Sequence, residues 1–89
     1  MYEHKVHGYK LRESAHCHTK RVSRGITLKD IKHQLKWHRE VTRYKYKKIA
    51  IVDAFQSIIL IVRNDEIYII TAIDDMLTNA DADIVLSDC

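Results

Sequence analysis

Three apolar, β-branched runs in close succession limit what this chain can fold into. The runs are KIAIVDAF, IILIVRN and IYIITAID, all within residues 48–74, and the short polar segments QS and NDE mark the turns between them. β-Branched residues favour strands over helices. Because a parallel return needs a dozen or more connecting residues, strands this close in sequence must pair antiparallel.

A fourth strand is predicted just before these runs. The segment VTRYKY, residues 41–46, alternates between two sets of side chains, as a strand with two different faces does. Two helical segments precede it. The predicted fold class is therefore α+β, with two N-terminal helices packed on one face of a four-stranded antiparallel meander sheet.

Capping residues define the two predicted helices. In RESAHCHTKRVSRG, Ser14 is a good N-cap, and Gly25 can adopt the positive φ that ends a helix. In TLKDIKHQLKWHRE, Thr27 and Asp30 form a variant of the capping box, with Asp in place of the usual Glu. Two helices joined by a short turn at Gly25 are expected.

The length of 89 residues predicts a single domain. Its core is expected over about residues 11–75, followed by an acidic tail, 76–89, that ends in a short helix or adds an edge strand. No apolar run reaches the roughly 18 residues of a membrane span, and MYEHKVHGYK has no signal-peptide core. These features predict a cytoplasmic protein in which Cys17 and Cys89 are free thiols.

Charge is divided unevenly along the chain. Residues 1–48 carry fourteen Lys or Arg and four Asp or Glu, a balance of +10, whereas residues 49–89 carry one Arg and eight Asp or Glu, a balance of −7. All six histidines lie in the first half. A polyanion is the natural partner of such a basic half. The alternative is a dipolar domain whose two halves attract each other.

Several basic and aromatic side chains of the first half are candidates for nucleic-acid contact. They are Arg21, Lys29, Lys32, Lys36, Arg43, Tyr44 and Tyr46. Aromatic rings beside positive charge are the surface on which single strands stack. For Tyr44 and Tyr46, cross-strand packing is the alternative, and Trp37 is expected to cover the edge of the core.

The segment HCHTKRVSRG contains a candidate site for phosphate chemistry. His16, Lys20 and Arg24 are four residues apart and so line one side of the predicted helix. A histidine can act as acid or base near neutral pH, and the two cations can stabilise charge that develops on a phosphate. Two alternatives are a capped basic helix with one exposed histidine, and phosphate binding without catalysis.

The pattern S-x-H-x-x-x-K-x-x-x-R-G-I-T, residues 14–27, resembles the opening of a small bacterial and phage domain family. That family is grouped with the barnase–EndoU–colicin–RelE ribonuclease folds, and the resemblance extends over residues 14–73. Lys20 stands where the family has Arg, which keeps the charge but loses the bidentate fork. The resemblance implies a RelE-like, toxin-type ribonuclease whose catalytic residues are His16, Lys20, Arg24 and Thr71, with Thr71 holding a phosphate oxygen.

His18 is expected to face the core as a hydrogen-bonded histidine, because it shares a helical face with Leu11, Ala15 and Val22. A metal site is the alternative. Consecutive helical side chains diverge by about 100°, so His16, Cys17 and His18 cannot all reach one ion. No metal and no cofactor is predicted.

The charge pattern and the resemblance together predict an RNA-binding domain, with metal-independent RNA cleavage as the activity that the resemblance adds. The alternative function is a non-enzymatic phage or bacterial interaction protein, an inhibitor that binds a host protein through the same fold. RNA, a cognate inhibitor or a host protein are the partners considered, and no membrane is expected.

Overall fold

The computed structural model describes residues 4–78 and 81–87. Its elements in chain order are β1 (Lys5–Val6), β2 (Tyr9–Glu13), α1 (Ala15–Ser23), α2 (Leu28–Lys36), a 3-10 helix (Arg39–Arg43), β3 (Lys48–Val52), β4 (Ser57–Arg63), β5 (Glu66–Ile73) and β6 (Ile84–Ser87). The strands form one sheet in the order β1-β2-β5-β4-β3-β6. None of the described helices is both long and apolar enough to span a membrane.

The three apolar runs form β3, β4 and β5, which pair antiparallel in sequence order as predicted. Alternate residues face the helices. Leu60 lies between Ile49 and Ile69 on neighbouring strands, and all three are fully buried. The helices cover this face, since Ile31 of α2 belongs to the same apolar cluster. The α+β class is confirmed.

The four-stranded antiparallel meander is wrong. The sheet has six strands and is mixed, because β2 pairs parallel with β5 and β6 pairs parallel with β3. The position beside β3, which a fourth meander strand would take, is occupied by β6. For the tail, the edge-strand alternative is the one observed, in Ile84–Ser87.

The segment VTRYKY is not a strand. Residues Arg39–Arg43 form the 3-10 helix, and Tyr46 has a left-handed φ of 66°. The segment contains one aliphatic side chain, Val41, so neither alternating face is apolar enough to cover a core. A tight turn buries Val41 completely and leaves the polar neighbours in solvent.

Both helices begin at the predicted caps. The side chain of Ser14 accepts a hydrogen bond from the Cys17 N–H, and Thr27 and Asp30 form the reciprocal capping box. Gly25 has φ +73°, the left-handed conformation that ends α1. These three local predictions are confirmed.

The predicted orientation of α1 is wrong. Cys17 is fully buried, whereas the side chain of His18 is 61% exposed and hydrogen-bonded to Glu13. The expected apolar stripe relied on Leu11, but Leu11 lies in β2 and not in the helix. Without it, that face has little apolar surface, and the helix turns its cysteine inward. Trp37, expected at the edge of the core, is 67% exposed.

The turn at Gly25 gives a direct stability test. A Cβ at this position would meet no heavy atom within 4 Å, so any cost of substitution comes from the backbone conformation. We expect Gly25→Val to lower the free energy of unfolding by about 1–2 kcal/mol, because a β-branched residue is strained at positive φ. Urea unfolding measures the change. Gly25→Asn is the control and should lose much less, since Asn tolerates this region.

Candidate nucleic-acid interface

A groove of about 570 Å³ lies between the β1 segment and α2. Seven of its eight lining residues carry an amine or an imidazole, and none carries a carboxylate. The lining residues are His4, Lys5, Val6 and His7 from the first strand and its turn, and Lys29, Lys32, His33 and Lys36 from α2. The groove is therefore a concentrated region of positive charge on a small protein.

A tight hairpin forms the β1 wall of the groove. His7 and Gly8 connect β1 to β2 and both have positive φ, 53° and 82°, as a two-residue type I′ turn requires. The His7 Nε2–H donates to the carbonyl oxygen of Leu35 at 2.8 Å. This bond joins the hairpin to the last turn of α2.

The other wall is the polar face of α2. Ile31 and Leu35 are fully buried, which directs Lys29, Lys32 and Lys36 outward along one stripe. In the described part of the chain, none of the three, nor Lys5 across the groove, forms an ion pair with a carboxylate. Their charge is available to an external anion.

A second, smaller pocket of about 330 Å³ adjoins the groove, and His33 lines both. The remaining lining residues are Asp30, Gln34, Trp37, Asp53 and Gln56. The Trp37 indole meets the His33 ring edge-on, with ring centroids 6.4 Å apart and planes at 79°. An exposed aromatic ring thus lies directly after Lys36, at the end of the basic stripe.

The other predicted nucleic-acid contacts lie elsewhere. Arg21 is tied inside the protein: its guanidinium donates to both carboxylate oxygens of Glu13 and to the carbonyl oxygen of Ile26. Arg43 ends the 3-10 helix, and Tyr44 and Tyr46 follow it in the exposed turn. The tyrosines do not share a sheet face.

The four residues that the resemblance implies for catalysis lie on two elements, α1 with its C-cap and β5. His16 and Lys20 are exposed on α1. Arg24 donates to the carbonyl oxygen of Ala72 at 2.7 Å and lies 3.9 Å from the carboxylate of Asp74. Thr71 pairs with Ile59, and this register places its side chain on the sheet face away from the helices. The catalytic assignment stays a prediction.

Glu13 organises the junction between β2 and α1. Its carboxylate accepts hydrogen bonds from Arg21 at 2.6 and 2.9 Å and contacts the Nδ1 of His18 at 2.9 Å. The Arg21 hydrogen bonds hold the pKa of Glu13 below its ordinary value. Burial raises the pKa of the neighbouring Cys17 thiol to about 11, so Cys17 is a neutral core residue at physiological pH.

Comparison with known proteins gives no family for this chain: no family model, no curated protein and no solved structure matches it. The resemblance of residues 14–27 to the RelE-like group therefore stays a prediction. Across residues 4–78 and 81–87, no cluster of three or more His, Cys, Asp or Glu side chains is arranged to hold a metal ion.

Four groove residues, His4, Lys5, His7 and His33, were not among the predicted nucleic-acid contacts. The sequence contains a signal for three of them. His7 and Gly8 stand between Lys5-Val6 and Tyr9-Lys10, which is a short hairpin pattern. Histidines flank the first pair, His4 before it and His7 after it. What the pattern lacks is any sign that this hairpin lies beside α2.

The Glu13 junction gives a pH-dependent stability test. A carboxyl whose pKa is lowered in the folded state stabilises it above the unfolded pKa, near 4.5, and this contribution is lost as pH falls further. We expect Glu13→Gln to cost about 1.5–3 kcal/mol at neutral pH, because the partly buried Arg21 loses its charged acceptor. Urea unfolding from neutral pH to about pH 3 should show the two proteins converging. Asp65→Asn, at an exposed turn, is the control; an equal loss in both variants contradicts the prediction.

Proposed function

We propose that this protein binds single-stranded RNA, with the phosphates of the strand seated in the groove between β1 and α2. The observation that carries the proposal is the groove lining of four lysines and three histidines with no carboxylate. Each phosphate that a lysine neutralises releases condensed counterions, and this release drives binding.

The exposed indole of Trp37 favours a single strand over a duplex. Proteins that bind single strands combine a basic path for the backbone with an aromatic ring on which a base stacks. Trp37 lies just beyond Lys36, at the end of α2, and is 67% exposed. In a duplex the bases are stacked on each other and cannot reach such a ring.

RNA rather than DNA is proposed because of the resemblance of residues 14–27 to the RelE-like ribonuclease group. We also propose the cytoplasmic location that the sequence predicts. A DNA oligonucleotide of the same base sequence is the direct competitor in any binding experiment, since it differs at the 2′-hydroxyl.

Removing groove lysines tests the binding surface. We expect Lys29→Ala/Lys32→Ala to weaken RNA binding and to reduce the slope of log K against log salt by about 1.4, since each phosphate contact contributes about 0.7 on single strands. Fluorescence anisotropy with a labelled oligonucleotide, between about 50 and 200 mM salt, measures the slope.

The matched control is Lys45→Ala/Lys47→Ala, which removes the same charge from exposed lysines outside the groove. It should leave the slope close to that of the unchanged protein. If the control and the groove variant lose affinity equally, the interaction is diffuse and the groove is not the site. If the affinity for RNA does not change with salt concentration, the RNA proposal is contradicted and the interaction-protein alternative is supported.

RNA cleavage is tested separately. We expect bound RNA to remain intact, because Arg24 is engaged by Ala72 and Asp74, and Thr71 is on the opposite sheet face. Gel analysis of RNA incubated with the protein and with His16→Ala checks this. Cleavage that falls by about 10²–10⁴-fold in His16→Ala, with unchanged affinity, would show instead that the mechanism implied by the resemblance operates.

A further inference from the structure

The pocket beside Trp37 differs in character from the groove it adjoins. It shares His33 with the groove but has no lysine or arginine in its lining, and two of its residues are the aspartates Asp30 and Asp53. Carboxylates repel phosphate, so a strand held in the groove does not place its backbone here. An aromatic wall with polar edges suits an uncharged, flat group.

The two glutamines of the pocket, Gln34 and Gln56, are hydrogen-bonded to each other. Gln56 Nε2–H donates to Gln34 Oε1 at 2.7 Å, and Gln34 Nε2–H donates to the carbonyl oxygen of Gln56 at 2.9 Å. Gln34 is also buried. This pair forms a fixed floor and offers few free donors to a ligand.

The two carboxylates of the pocket are acceptors. Asp53 directly follows β3, is half-buried, and its backbone N–H and carbonyl both bond to the Ser57 hydroxyl. Its carboxylate has no hydrogen-bond or ion-pair partner in the described part of the chain. Asp30 uses one carboxylate oxygen in the capping box with Thr27. An ionised carboxylate accepts hydrogen bonds and donates none.

Among the RNA bases, guanine matches this set of acceptors. Its Watson–Crick edge presents two adjacent donors, N1–H and the N2 amino group, which one carboxylate can accept together. Adenine and cytosine place a single amino donor beside an acceptor nitrogen, and uracil places its one N–H between two carbonyl oxygens. For these bases a carboxylate faces at least one lone pair that it repels.

We propose that the pocket lined by Trp37 and Asp53 binds a guanine base. The base stacks on the indole, and its N1–H and N2 amino group donate hydrogen bonds to the Asp53 carboxylate. This proposal rests on the proposed function, since it assigns the groove to the phosphates and the pocket to one base of the same strand. Their shared wall, His33, makes the two sites contiguous.

The experiment compares oligouridine strands that carry one central G, A or inosine. Trp37 is the sole tryptophan of the chain, so its fluorescence reports directly on the pocket. The G strand should bind about 5- to 150-fold more tightly than the A strand, the range of one good bidentate base contact. Inosine, which lacks the N2 amino group, should be intermediate.

Two substitutions separate the roles of the pocket residues. Asp53→Asn keeps the backbone bonds to Ser57 but loses the doubly accepting carboxylate, so the preference for G should disappear while binding to the A strand persists. Asp65→Asn removes the same charge at an exposed turn and should keep the preference. Trp37→Ala should weaken the G strand by about 5- to 150-fold through lost stacking, with the salt slope unchanged. Thermal unfolding monitored by circular dichroism confirms that each variant folds.

The outcomes distinguish the two proposals. Salt-dependent RNA binding with equal affinity for the G and A strands overturns the guanine pocket and leaves the RNA-binding function standing. Titration with guanosine and adenosine monophosphate tests the pocket without a strand. If the guanosine nucleotide alone quenches the fluorescence of Trp37, and Asp53→Asn abolishes this quenching, the pocket is supported even if no strand binds. If no strand binds and neither nucleotide quenches the fluorescence, both proposals are overturned.

Discussion

The parallel pairing of β2 with β5 is the interaction on which the rest of the architecture depends. It aligns Leu11 with Ile67 and Glu13 with Ile69, and the Ser14 N–H extends the pairing by donating to the carbonyl oxygen of Ile69. The Ser14 hydroxyl donates to the next carbonyl, of Ile70, while its oxygen caps α1. One residue therefore ends the strand, begins the helix and joins both to the sheet. With β2 in place, β1 lies at the sheet edge beside α2, and the groove exists.

Local signals account for the parts of the fold that the sequence predicts. The apolar runs of β3, β4 and β5 need only their own alternation and short turns, and the caps at Ser14 and Thr27 act within one helical turn. By contrast, β2 has a single aliphatic side chain, Leu11, and its partner β5 lies more than fifty residues away. No local pattern records that partnership. The same holds for β6, whose pairing with β3 spans about thirty-five residues.

In the candidate site too, the sequence predicts the part that depends on local periodicity and misses the part that depends on long-range strand pairing. Lys29, Lys32 and Lys36 were predicted as nucleic-acid contacts from helical periodicity and do lie together in the groove, because Ile31 and Leu35 fix the inward face of α2. The opposite wall follows from the β2–β5 register, which sequence reasoning did not find. Arg21 does not line the groove, for a related reason. Its partner Glu13 lies in the unpredicted strand β2, and the pair is a structural link between strand and helix.

In the folded protein, ion pairs between the two halves of the chain neutralise part of its uneven charge. Acidic residues of the second half pair with basic residues of the first: Asp65 with Lys10, Glu66 with Arg12, Asp74 with Arg24 and Asp81 with Lys48. Each exposed pair adds little stability, but it cancels charge where it forms. The lysines of the groove take no part in this cancellation within the described chain. The charge of these four lysines therefore stays available at the β1–α2 groove, the surface to which we propose an anionic strand binds.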